Sequence, residues 1–238
     1  MLELMATISS IIDLLSYVEN LGSEVMYRGQ SNVDWPLLPS LVRYSHHIQA
    51  GYDCIGDIEA HLIEKFIQFS IPHNDIRSKP LIEQLVHCQH YGLPTRLLDW
   101  SSNPLKALFF AVTDSVQEDK DGVVHVFEPN GWFEGTKNLS EIKSLSPFFP
   151  ELLNERIASQ DACFIAFPLP GVAFSVQPLT TENYPEDTNL LFSLVIPANR
   201  KMQFRRELAT LGVTHRTIYP GLDGVAKWVK SELSCHEL

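Results

Sequence analysis

The chain has 238 residues, of which 45% are hydrophobic and 20% charged. That composition excludes a disordered tail, a collagen-like repeat and a disulfide-stapled miniprotein. Its 18 basic and 29 acidic residues leave a net charge of −11. Such a balance argues against free-standing duplex-DNA binding, which is driven by basic side chains on phosphates, but leaves room for a local basic cleft.

In chain order, Ser9 or Ser10 caps a first helix that carries Ile11, Leu14, Leu15 and Val18 at helical spacing. A short strand follows over 24–28, ended by Gly29, and Pro36 and Pro39 hold the next segment extended. Asp57 opens a second helix with Ile58, Leu62 and Phe66 on one face. Lys79-Pro80 opens a third, with a buried stripe of Leu81, Leu85 and Cys88, and Gly92-Leu93-Pro94 stops it. A strand over 95–100 precedes a fourth helix, where Asn103 caps and Pro104 occupies the first turn, a place that needs no amide donor. Apolar runs at 122–127, 162–167 and 190–196 read as strands. Asn199 caps a helix ended by Gly212, and a last helix runs from Gly221 or Asp223 to about residue 233. Helices first, then strands interspersed with helices, predict one α+β domain: a mixed, mainly antiparallel sheet with flanking helices.

The chain lacks Gly-x-Gly-x-x-Gly, a Walker-type phosphate loop, His-Glu-x-x-His and Gly-x-Ser-x-Gly. His87 and His90 stand three apart on one helix without further ligands at metal-binding spacing, so no metal is expected. Cys54, Cys88, Cys163 and Cys235 form no Cys-x-x-Cys pair and read as reduced thiols of a cytoplasmic protein. No apolar run approaches the roughly 20 residues of a membrane helix, so no membrane partner is expected.

Three patches concentrate polar groups among apolar ones. In the first, Tyr27-Arg28-Gly29-Gln30 running on through Trp35 to Arg43, a strand-end arginine followed by glycine either presents a planar fork of donors to an anion or pairs with a surface carboxylate. The second runs from Gln89 through His90, Tyr91, Gly92, Thr95, Arg96 and Asp99 to Ser101. Arg96 and Asp99, three apart, point to opposite faces of a strand; each is either functional or part of an internal ion pair. The third spans 154–164, where Gln160 precedes an apolar strand and either holds a ligand hydroxyl or amide or bonds to nearby backbone.

Together these patches resemble the FRG domain family: Tyr27-Arg28-Gly29 stands for its Phe-Arg-Gly, and Gln89 through Trp100 matches its Gln-His-Tyr-Gly-Leu-Pro-Thr-Arg-Leu-Leu-Asp-Trp block. Tyr219-Pro220-Gly221-Leu222-Asp223-Gly224 is similar to its closing motif, so the resemblance spans residues 25–229 of a single domain. The order of elements also resembles arginine-first ADP-ribosyltransferases, with Ala107-Leu108-Phe109-Phe110-Ala111 on the helix after the second strand, although Ala162 stands where those enzymes place a catalytic glutamate. That second likeness implies NAD as co-substrate and a toxin or phage-defence setting. It implies catalytic roles for Arg28 on the diphosphate, Gln160 on the ribose and nicotinamide, and Asp99 (or Asp161) as the carboxylate. Tyr27, Gly29, Gln30, His90, Tyr91, Thr95 and Arg96 would line the nucleotide site, and the acceptor would be a protein or a nucleic acid. Two other readings stand beside it. One is a non-catalytic sensor that binds a nucleotide or peptide; the other is a metal-independent nuclease using His90, Arg96 and Asp99.

Overall fold

The computed structural model describes residues 4–133, 139–151, 155–171 and 175–235. In chain order the elements are β1 (Leu4–Thr7), α1 (Ile11–Val18), β2 (Met26–Gln30), α2 (Ile55–Ser70), α3 (Leu81–His90), β3 (Leu97–Ser101) and α4 (Pro104–Val112). There follow β4 (Gly122–Pro129), β5 (Ser146–Phe148), α5 (Glu155–Ser159), β6 (Ala162–Ala166), β7 (Thr188–Ile196), α6 (Lys201–Thr210), α7 (His215–Ile218) and α8 (Leu222–Cys235). A 3₁₀ segment, Ser40–Ala50, joins β2 to α2.

Local signals set several helix ends. Ser10 accepts from the Asp13 amide in a capping box, and Asn103 accepts from the Leu105 amide ahead of α4. Gly92 after α3 and Gly212 after α6 adopt φ of +85° and +80°, the left-handed stop that glycine tolerates. Several boundaries shift from the sequence reading: β2 runs over Met26–Gln30 rather than 24–28, β3 over Leu97–Ser101 rather than 95–100, α2 starts at Ile55 behind Cys54, a 3₁₀ turn over Ala198–Arg200 precedes α6, and α8 starts at Leu222. The short elements β1, β5, α5 and α7 carry too few residues to show a period. Asn154 of the third patch lies outside the described residues.

Among the described residues the sheet has seven strands in the order β1-β7-β4-β2-β3-β6-β5, with β1–β7 parallel and the other pairings antiparallel. The fold is α+β. The sheet is also divided. All five residues of β2 pair with β4, and all five of β3 pair with β6, yet β2 and β3 share one paired position, Tyr27 opposite Ser101. Beyond it the two edges diverge.

Three apolar clusters hold the layers together. One packs α1, α4 and α6 against β2, β4 and β7, around Leu14, Leu108, Val124 and Phe204. A second fills the opposite face with Met26, Leu41, Trp100, Phe127 and Phe167, and so crosses the division between β2 and β3. A third seats α2 and α3 on β3 and β6. Gly29 does not end β2. It lies within the strand, where a Cβ would collide with the Ala107 carbonyl of α4, so glycine here permits a helix, rather than a ligand, to approach the backbone.

Candidate functional site

The division opens into a cleft of about 1070 Å3. Its walls come from β2 and the following loop, the 3₁₀ segment, the end of α3, the middle of β3, α4, the α5–β6 junction, α7 and α8. Three distant stretches of sequence therefore meet here: Arg28, Asp99 and Gln160 all line the cleft, with Tyr27, Gly29, Gln30 and His90.

Arg28 donates from Nη1 to the Asp99 backbone carbonyl, bridging the diverging edges of β2 and β3. Its Nε is buried without a hydrogen-bond partner. Burial lowers its pKa below the ordinary arginine value; Asp99 opposes that shift and Arg43 adds to it. The exposed Asp99 accepts from Gln89 Nε2 at 2.6 Å, while Thr95 Oγ1 donates to Gln89 Oε1. Thr95 thus serves the site through Gln89. Buried and off the cleft wall, it corrects the expectation of a ligand contact.

Behind the opposite wall, His125 bridges Gln30 Oε1 at 2.8 Å and Ser193 Oγ at 2.9 Å. Burial, with Arg28 nearby, pushes its pKa down to about 3, so the ring is neutral near pH 7. A neutral ring that donates from Nε2 to Gln30 accepts at Nδ1 from the serine hydroxyl, which fixes the Gln30 carboxamide and turns its NH2 away from the histidine. Lys201, fully buried, donates to the carbonyls of Ser31 (2.7 Å) and Gln117 (2.6 Å) and so fixes the adjoining rim.

Gln160 lines the cleft but donates from Nε2 to the Ile218 carbonyl at 3.3 Å, tying the α5–β6 junction to the Tyr219 segment. One of its amide N–H groups is thereby engaged with backbone. Asp161, at φ +45°, is held by Lys106 at 2.6 Å and by Asn103 Nδ2 at 3.2 Å, which removes it as a candidate carboxylate. Ala162 is on the cleft wall.

Two expected ligand contacts lie elsewhere. Arg96 points to the other face of β3, where Nε and Nη2 meet Glu59 Oε2 at 2.6 and 2.5 Å, and its own amide meets Glu59 Oε1 at 2.7 Å. Both residues are buried, so Arg96 belongs to an internal pair. The grouping of His90, Arg96 and Asp99 therefore does not assemble. Tyr91 is 63% exposed, off the cleft wall, and packs on Phe66 and edge-on against His90. Sequence reasoning missed Trp35, Arg43, Arg156, His215, Tyr219 and Lys227 as wall residues. Trp35, Arg43, Arg156 and Tyr219 stood inside noticed motifs, but nothing local marked their side chains as convergent.

Taken together, the cleft carries Arg28, Arg43, Arg156 and Lys227 against Asp99 and Asp114, in a chain whose overall charge is −11. Among the described residues, three side-chain nitrogens are buried without a partner: Arg28 Nε, Trp100 Nε1 and His215 Nδ1. All three belong to residues that line this cleft. Buried polar atoms are otherwise nearly always paired, so orphans gathered in one hollow mark where a ligand completes the bonding. No group of three or more potential metal ligands occurs among the described residues, and no described helix is long and apolar enough to cross a membrane.

The fold and cleft define an α+β protein with an anion-suited hollow in a divided sheet. The family model of the FRG domain matches residues 23–120, a stretch that includes Arg28, His90 and Asp99 of the cleft but stops short of Gln160 and Tyr219. No curated protein and no solved structure matches the chain significantly.

Proposed function

We propose that the cleft binds a nicotinamide dinucleotide and that the protein cleaves its nicotinamide–ribose bond, passing ADP-ribose to water or to an acceptor group on a protein or nucleic acid. The observation that carries this reading is the set of orphaned donors beside a cationic lining in an acidic chain. Such a field draws a small anion inward, while the acidic exterior repels an extended polyanion.

Each step of the chemistry has a group suited to it. Arg28 offers unspent donors to a diphosphate, and Tyr27, Trp35 and Trp100 offer faces and edges to flat rings. When the C1′–N bond breaks, its electron pair leaves with neutral nicotinamide and positive charge develops on the ribose, as in glycoside hydrolysis. Asp99, oriented by Gln89, is the carboxylate placed to face that charge. The acceptor O–H or N–H attacks C1′, and its proton passes to Asp99 or solvent.

Ala162 on the wall, with no carboxylate of its own, favours a second reading in which the cleft senses a nucleotide or peptide without turnover. Incubation with NAD and chromatography for free nicotinamide separates the two. Release that Asp99→Asn lowers by about a hundredfold or more, the usual scale for an electrostatic catalytic group, supports cleavage. Calorimetric binding without release supports sensing, and absence of both sinks the nucleotide reading.

A further inference from the structure

The α5, α7 and α8 end of the cleft holds an arrangement that one diphosphate on Arg28 does not use. The Arg156 guanidinium carbon lies 5.3 Å from the centroid of the Tyr219 ring, and Lys227 Nζ lies 4.3 Å from it. The His215 ring stacks on the same tyrosine at 6.1 Å with an interplanar angle of 18°. Neither Arg156 nor Lys227 makes an ion pair among the described residues. The electron-rich ring holds the cations in place, with no ion-paired carboxylate on either among the described residues. Crowding of like charge shows in the histidines: burial first, then Arg156, lowers the pKa of His90, and burial, then Lys227, lowers that of His215. His215 Nδ1 is one of the three orphaned nitrogens.

The Tyr219 segment is fixed from both sides. Gln160 Nε2 and Ser159 Oγ donate to the Ile218 carbonyl, the latter at 3.0 Å, and Gly224 lets α8 approach the Tyr219 carbonyl where a Cβ would collide. A rigid cluster of cations held close together repels itself, and an anion seated among them relieves that cost with charge-assisted bonds.

We infer that Arg156, Lys227, His90 and His215 around Tyr219 form a second anion subsite, distinct from Arg28 and Arg43, that takes a phosphomonoester. The identity of the ligand rests on the dinucleotide reading above; the subsite itself does not. The phosphate comes either from a 2′-phosphate on the dinucleotide or from a phosphorylated acceptor.

Calorimetry on the full chain with inorganic phosphate, NAD and NADP tests it. The variants are Arg28→Gln, Lys227→Met at an exposed position, and the double change Arg156→Gln/Lys227→Met. Retained melting temperature confirms that each is folded. Inorganic phosphate affinity is expected to fall about tenfold or more in the double variant and less in Lys227→Met. A preference for NADP over NAD that vanishes in the double variant places the phosphate on the dinucleotide. Equal binding of the two, with phosphate affinity still dependent on Lys227, assigns it to the acceptor. If NAD does not bind but the phosphate result holds, the dinucleotide reading falls and the subsite stands. Phosphate affinity unchanged in both variants overturns the subsite, whatever NAD does.

Discussion

Arg96 and Arg28 serve β3 from opposite sides. Against α2, Arg96 is matched by Glu59 with direct contacts from two guanidinium nitrogens and a backbone amide, and both side chains are buried. Toward β2, Arg28 gives one bond to a main-chain carbonyl and leaves Nε unpartnered. A buried pair that satisfies itself is architecture; a charge left short of partners beside a hollow is poised for something from outside. The difference teaches that residue type alone did not separate the two arginines. What separated them was whether the fold had already placed a carboxylate within reach.

The sharpest way to break this contrast is to remove Glu59. Glu59→Ala leaves the Arg96 charge buried and alone, and equilibrium denaturation should show a loss of about 3–5 kcal/mol. The paired change Glu59→Leu/Arg96→Met should recover much of that loss. Arg28→Gln should do the reverse: nucleotide affinity measured by calorimetry falls about 10–100-fold, the scale of a lost charge-assisted bond, while the melting temperature moves little. A large stability loss from Arg28→Gln would move it into the same column as Arg96.

Smaller and graded is the acid response of His125 beneath the cleft wall. Its folded pKa of about 3 lies below the ordinary 6.5, so between these values the unfolded chain binds the extra proton. Its contribution is complete above about pH 6.5 and is lost as pH falls toward about 3, at up to about 1.4 kcal/mol per pH unit. His125→Gln should flatten that portion of the stability–pH curve. Smallest of all, Tyr91→Ala, exposed and meeting the cleft only through the edge of His90, should leave ligand affinity within about twofold and change stability by about 0.5–1 kcal/mol.

Much of the scaffold was legible because its signals are local. The Asn103-Pro104 start of α4, the Gly92 stop of α3 and the apolar runs of β4, β6 and β7 each announce themselves within a few residues. The convergence of Arg28, Asp99 and Gln160 was also legible, through the density of polar residues in three patches. The illegible parts depend on distance along the chain. Nothing near Arg96 points to Glu59, and nothing near Arg156 points to Lys227 on the far side of β7. Gly29 misled because a glycine after a strand arginine reads as an end, whereas the close approach of α4 requires it inside the strand.

The single rung between Tyr27 and Ser101 has a mechanical consequence. Ladders of backbone bonds fix register, because slipping one residue inverts every side chain. Across this seam almost no ladder exists, and the halves are held by Met26, Trp100 and Phe127 packed over the joint. In place of a ladder, that packing and the Arg28 bond to the Asp99 carbonyl span the seam, so a ligand held by both lips would add the cross-link that the missing rungs do not supply.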